Sequence, residues 1–456
     1  MQIDFELLKK YNVAIPRYTS YPTVPFWDSH IDAQRWISLF KKQFLLNNSR
    51  EGISLYIHLP FCESLCTYCG CNKKITTNHG VEYRYLEAVK KEWQLYLAIM
   101  EEKPVIRELH LGGGTPTFFS PENLADLLNT LFKDANIPSN HEFGFEGHPN
   151  NTTIEHLQVL YDLGFKRVSY GVQDHDPEVQ HIINRIQPFE NVQAATQMAR
   201  AVGYESVNFD LIYGLPRQTA QSIEKTILQS ISLRPDRVAF YSYAHVPWTS
   251  KGQRLFDQDD LPTPDQKLML NQIGRTLFTQ NGYQNIGMDH FALQGDLLST
   301  AANQGKLFRN FMGYTTHQAQ LLLGLGVSSI SDVGRGFSQN HKTLQAYYRS
   351  VDAGQFPLSK GYFLNNQDMA FRQYIMDIAC QSKTTFKKAD YPLLEQFSFP
   401  VLAPLASDNL IKFNPDGIIV TDLGRYFLRN ICSAFDLYLL KENNMITSKD
   451  TFSNAI

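Results

Sequence analysis

The sequence has no run approaching the ~20 consecutive apolar residues that a bilayer-spanning helix requires, so no membrane span is expected. It also lacks an excess of charge: 42 Lys and Arg stand against 45 Asp and Glu, a net charge of −3. That leaves no bulk attraction for nucleic acid or an anionic surface, and no nucleic-acid partner is expected. The opening Met1-Gln2-Ile3-Asp4-Phe5-Glu6 is acidic and has no apolar leader segment, so a cytoplasmic protein is expected. Cysteine is scarce, six in 456 residues, which excludes a disulfide-built scaffold. What remains is an ordinary globular composition, 43% hydrophobic, in a chain long enough for one large domain and a smaller one.

Four of the six cysteines fall within ten positions: Cys62, Cys66, Cys69 and Cys71; the other two, Cys380 and Cys432, are far away. Loops this short strain disulfide geometry and constrain the chain little, so bound metal is the better reading. Zinc would use all four sulfurs in a closed tetrahedron, though structural zinc usually draws them from two separated C-x2-C knuckles. The spacing here is C-x3-C-x2-C with a further x-C. Short runs of this kind also supply iron–sulfur clusters, and that reading is preferred.

Residues 1–50 read as an arm, with Pro16-Arg17-Tyr18-Thr19-Ser20-Tyr21-Pro22 as an extended segment packed on a surface. From Ser54 to Tyr243 short β-branched runs (54–59, 106–111, 142–146, 167–172, 206–213, 237–243) alternate with amphipathic stretches (81–100, 121–135, 153–163, 219–233). Ser120-Pro121 and Asp176-Pro177 mark helix starts. This alternation predicts an α/β fold, a partial (β/α)6 barrel within residues 51–357, with its site at the carboxyl ends of the strands. Residues 358–456 read as a smaller, mainly helical, winged-helix-like domain, with a hairpin over Ile411–Val420 turning at Asp416-Gly417. Few basic residues accompany that hairpin, which favours a lid or packing role over DNA binding.

Unusual residues gather at the strand ends. Gly112-Gly113-Gly114-Thr115 follows the second strand, Glu146 ends the third, and Gly171-Val172-Gln173-Asp174 ends the fourth, with Asn184-Arg185 expected in the next helix. Asp210 lies on the fifth and Tyr241–Ala244 ends the sixth. Such a ring around one mouth suggests a ligand pocket. Residues 287–292 and 309–316 read as loops, in which Asp289 and His290 suit either proton transfer or a structural pair, and residues 322–331 as a strand or turn closing the site.

Cys62-x-x-x-Cys66-x-Tyr68-Cys69 resembles the signature of radical S-adenosylmethionine (SAM) enzymes. With the motifs at 11–12, 16–22, 112–117, 171–174, 210–216, 287–292, 309–316 and 430–432, nearly the whole chain resembles the oxygen-independent coproporphyrinogen III oxidases. The resemblance implies that Cys62, Cys66 and Cys69 hold a [4Fe–4S] cluster whose fourth iron binds SAM, and that two SAM molecules are bound. The first would contact Tyr56, Gly113, Glu146 and Ile330, with Tyr68, Gly114 and Thr115 alongside; the second would meet Gln173, Arg185, Asp210 and Ala244. Cys71 matches an additional family cysteine, and Cys71 and Tyr56 are the expected catalytic residues.

The implied reaction converts two propionates of coproporphyrinogen III to vinyl groups by way of a 5′-deoxyadenosyl radical. It uses electrons from a reduced donor such as a flavodoxin and, by expectation, a monomeric enzyme. Arg17 and Arg309 are candidates for holding propionates by charge alone. A related haem chaperone is the alternative, against which Cys71, the arm and the C-terminal domain argue; a zinc-stabilised interaction protein is a third class. Gly147-His148-Pro149-Asn150 and Met312 depart from the family pattern, and the notable test is whether His148 compensates for Met312.

Overall fold

The computed structural model describes residues 4–248, 250–317 and 320–442. The six expected strands form in order: β1 (Ile53–Leu59), β2 (Ile106–Gly113), β3 (Glu142–Gly147), β4 (Phe165–Gln173), β5 (Ser206–Tyr213) and β6 (Arg237–Ser242). Each pairs in parallel with the next, and helices such as Val81–Leu97, Pro121–Lys133, Ile154–Asp162 and Ala220–Ser232 cover one face. Ser120 and Asp176 cap their helices as read, each accepting from backbone amides one turn on, with proline at the first helical position. Alternation assigns the faces. Leu55, Ile57, Leu109, Leu111, Phe145, Val168, Val207 and Phe209 are buried under the helices, so their polar neighbours face inward.

The sheet is twice as wide as six strands. At one edge the hairpin β7 (Tyr283–Gly287) and β8 (His290–Leu293) lies antiparallel against β6. At the other, β9 (Leu322–Leu325) runs parallel to β1 and leads into antiparallel β10 (Ile330–Asp332), β11 (Gly336–Asn340) and β12 (Leu358–Phe363). The order is β12-β11-β10-β9-β1-β2-β3-β4-β5-β6-β8-β7. Two segments read as loops are therefore hairpins. Residues 287–292 pair as Gly287↔His290 around Met288-Asp289, and Phe308–Asn310 pairs with Gly313–Thr315. Their strands are too short to show an alternating pattern. The sheet also runs past residue 357, where the sequence reading ended this region, because β12 completes its edge.

Residues 16–22 do not lie on a surface. Tyr18 and Tyr21 are buried with Leu428, Ile431 and Phe435 of the C-terminal region, and the Tyr18 hydroxyl donates to Asp436 at 3.1 Å. The rest of the arm adds the helix Ala33–Asn47, capped by Asp32, whose Trp36, Phe40 and Phe44 are fully buried in the barrel's core. Trp36→Ala is expected to cost about 3–5 kcal/mol, read as a lower urea midpoint; an unchanged midpoint would show the arm to be a dispensable addition.

Beyond the sheet, helix Asn366–Gln381 leads into a small sheet in which Lys383–Thr385 and Ile411–Asn414 flank Gly417–Val420. Its hairpin turns at Pro415-Asp416, one residue earlier than expected, because the Asn414 side chain accepts from the amides of both Asp416 and Gly417. Among the described residues no helix is long and apolar enough to cross a membrane.

Candidate active site

The register brings the inward-facing polar residues into one patch. Tyr56 pairs with His110, Glu146 with Ser169, Ser169 with Asn208, and Gly171 with Asp210. Over their carboxyl ends lies a cavity of about 450 Å³, lined by Cys62, Cys66, Tyr68, Cys69, Cys71, Gly113, Gly114, Thr115, Glu146, Gln173, Arg185 and Asp210.

The cysteine loop is closed at its base by a parallel bridge between Phe61-Cys62 and Lys74-Ile75. Its interior is tied from outside. Gln253 donates to the Tyr68 carbonyl at 2.9 Å, while Ser250 and Lys73 donate to the Cys69 carbonyl at 3.2 and 2.8 Å. The Thr115 hydroxyl donates to Cys62 Sγ at 3.3 Å and Arg185 Nη1 to Cys66 Sγ at 3.6 Å. Burial pushes the Cys62 thiol up to about 11 despite Thr115. The neighbouring Cys71 thiol holds Cys69 below the ordinary thiol value and Cys69 holds Cys71 above it, and Lys73 favours the Cys69 thiolate further.

The glycines at the end of β2 are steric requirements. Gly113 has φ +117°, and a Cβ there would lie 2.6 Å from the His58 ring; one on Gly114 would lie 2.6 Å from the Pro60 carbonyl. The Gly113 amide donates to Glu146 Oε2 at 3.1 Å, and His110 Nε2 lies 3.4 Å from Oε1. Burial opposes ionisation of Glu146, but His110 and this amide outweigh it and hold the carboxyl below its ordinary value. Asp210 behaves oppositely. Burial and then the charge of Glu146 push it up to about 7, although Asn208 and Ser169 donate to it at 2.9 and 3.1 Å.

Three expected residues stand outside the lining. The Tyr56 ring stacks on His110 (6.2 Å between centroids, 13°) and packs against Gly112, behind Glu146. The Ala244 carbonyl accepts from Gln253 at 3.1 Å, the same side chain that holds the Tyr68 carbonyl. The Ile330 backbone abuts Gly324, the register partner of Tyr56. Asn184 and Arg185 follow the helix Pro177–Ile182 and do not belong to it: Asn184 takes φ +51°, and Arg185 turns back to donate to the Gly171 carbonyl at 2.5 Å. His148 lines the cavity and is uncharged, held down to about 2 by burial and then by Arg185. Met312 sits at the turn between Phe308–Asn310 and Gly313–Thr315, outside the lining, so the two departures do not meet in this cavity. Asp289 faces Arg17, 3.9 Å away.

His110 and Lys73 were missed by the sequence reading, whereas Tyr241, named with the sixth strand end, does line the cavity. His110 shares an inward face with Gly112 by strand alternation, which was the available signal; Lys73, two residues past Cys71, had none beyond proximity.

A four-iron cluster and SAM fit these residues. Four thiols line one roomy cavity, the glycines clear its wall, and Arg185 Nε and His110 Nδ1 are buried without a partner among the described residues. No three His, Cys, Asp or Glu side chains among the described residues converge as one ion would require. A cluster with one thiolate per iron makes no such demand.

Fold and site define a radical SAM protein, and the model of the radical SAM superfamily matches residues 56–229. The chain is 39% identical over 457 aligned residues to the oxygen-independent coproporphyrinogen III oxidase of Pseudomonas aeruginosa, covering 98% of each. It is 38% identical to the Escherichia coli protein of that name, over 97% of this chain and 98% of that one. The solved structure of coproporphyrinogen III oxidase from Escherichia coli, described as a radical SAM enzyme, matches with a TM-score of 0.89 at 37% identity, covering 96% of this chain and 99% of the other. The chain belongs to the family of oxygen-independent coproporphyrinogen III oxidases.

Proposed function

We propose that this protein oxidatively decarboxylates the ring A and ring B propionates of coproporphyrinogen III to vinyl groups, giving protoporphyrinogen IX. The observation that carries the reading is the length of the likeness. It extends over 98% of the chain, through the arm and the C-terminal region, well beyond the superfamily's matched 56–229. When bound, the cluster and SAM supply one-electron chemistry that yields a 5′-deoxyadenosyl radical able to abstract hydrogen from a propionate.

The chain's own residues bind and orient. Cys62, Cys66 and Cys69 would hold the cluster, and Cys71, outside that set, favours the Cys69 thiolate. Glu146, kept ionised, is a ready acceptor for the SAM ammonium beside the glycine wall of Gly113, Gly114 and Thr115. Tyr56 and Ile330 support that wall from behind, and Tyr68 is held by Gln253 together with Ala244. On the other side of the cavity Asp210, Arg185 and Gln173 suit a second SAM. A reduced donor such as a flavodoxin would supply electrons, and the enzyme would act as a cytoplasmic monomer.

Anaerobic incubation with coproporphyrinogen III, SAM and a reductant tests the reading: protoporphyrinogen IX should form. Tight haem binding without conversion would favour the chaperone instead.

The second SAM has its own test. Equilibrium dialysis should find two SAM per chain, and Asp210→Ala or Arg185→Ala should leave one SAM and full iron content while lowering decarboxylation about tenfold or more. Affinity at this site should rise with pH through about 7, where Asp210 gives up its proton and becomes an anionic partner for the ammonium. One SAM per wild-type chain would refute the second site.

A further inference from the structure

Tyr241 forms the cavity wall on the β6 side, Arg17 stands by its ring, and Arg309 lines a second cavity of about 210 Å³; both arginines come from outside the superfamily's matched core. Arg17 comes from the arm. Its Nη2 donates to the Ser242 carbonyl at 2.7 Å, and its guanidinium stands 3.9 Å from Asp289 and 5.8 Å from the Tyr241 ring centroid. Arg309 comes from the hairpin strand Phe308–Asn310. Its Nη2 reaches the Arg17 carbonyl at 3.5 Å, and its guanidinium stands 4.8 Å from the Tyr314 ring centroid. Its Nε and Nη1 are buried, with no hydrogen-bond partner among the described residues.

Buried polar groups in native proteins are almost always satisfied, and a buried cation with two unmet donors points to an acceptor that arrives with a ligand. The local charge agrees. Among the described residues Asp289 is the one carboxylate ion-paired with either arginine. His290, edge-on to Tyr241 at 5.8 Å, is held down to about 4 by burial and Arg309 and is neutral at physiological pH. The region therefore keeps an uncompensated positive charge, and a planar guanidinium suits a carboxylate better than a point cation does.

We propose that Arg309, with Arg17 beside it, anchors one propionate carboxylate of the porphyrinogen across the Tyr241 ring from Asp210. The assignment rests on the proposed substrate and adds to it the residues that select a tetracarboxylate. Both are supplied by segments added to the common barrel, the arm and the hairpin at 308–315, where selectivity for one substrate would be expected to reside. Arg309 is then a substrate-binding residue that leaves the cluster and SAM untouched.

The test uses full-length, cluster-loaded protein and coproporphyrin III, the stable oxidised tetracarboxylate, with its tetramethyl ester as control, followed by fluorescence under anaerobic conditions. Arg309→Met should weaken coproporphyrin III binding about tenfold or more. Ester affinity, iron content and SAM binding should stay as in the wild type, and KM should change more than kcat. Arg309→Lys should recover part of the loss. Arg17→Met should act in the same direction and serves if Arg309→Met does not accumulate. Unchanged affinity in the arginine variants, or equal loss for acid and ester, overturns the anchor. If the wild type converts coproporphyrinogen III while the variants bind like it, the anchor alone falls; if the wild type neither binds nor converts, the substrate reading falls and takes the anchor with it.

Discussion

Cys62→Ala, Cys66→Ala and Cys69→Ala should each yield protein without its cluster, whereas the wild type purified without air should carry about four iron and four sulfide. Each thiolate would serve a different iron, so a neighbour should not substitute for a missing one. The loop admits no slack either, being closed at Phe61-Cys62 and tied at Tyr68 and Cys69. Cys71→Ala separates ligation from assistance. Cys71 lines the cavity outside the expected ligand set and favours the Cys69 thiolate, so its loss should leave the iron in place while lowering turnover. Iron and sulfide analysis beside an activity assay reads both effects. Stoichiometric zinc with no iron would end the cluster assignment.

Glu146→Gln should keep the iron and lose most of the SAM. The amide retains an oxygen for the Gly113 N–H but gives up the negative charge that His110 and this N–H maintain. A charge-assisted hydrogen bond is worth about 1.5–3 kcal/mol, so the affinity at the cluster should fall roughly ten- to hundredfold. Reductive cleavage of SAM should fall at least as far, because a loosely held cofactor is seldom in line to react. Dialysis and the yield of 5′-deoxyadenosine measure the two quantities. Normal SAM affinity in this variant would remove Glu146 from the site.

The barrel and most of its site were readable because both follow from strand periodicity. Each strand of the parallel core is long enough to show its buried runs, and the residue at its carboxyl end is placed by the fold rule alone. Glu146, Asp210 and Gln173 were found that way, and the cysteines by their spacing. What escaped depended on contacts between distant segments. The hairpins at 283–293 and 308–315 have strands of three to five residues, too short for a pattern. Arg185 was expected within the helix and instead reaches the cavity beyond its end, past the left-handed residue Asn184. The prolines and tyrosines of the arm suited an extended segment packed on a surface, yet Tyr18 satisfies its hydroxyl on Asp436 and sinks into the C-terminal core. His110 was within reach, since alternation from Gly112 already turned it inward.

The anchors on the cysteine loop bear on how the enzyme is made. Gln253, Ser250 and Lys73 hold the loop's carbonyls, and the bridge between Phe61-Cys62 and Lys74-Ile75 closes its base, all with groups that the chain itself provides. With these ties in place the polypeptide should hold the loop's shape before any iron arrives, the mould ahead of the casting. Metal stripped by a chelator should then be restorable with ferrous iron and sulfide, without unfolding, and the stripped protein should melt as cooperatively as the loaded one.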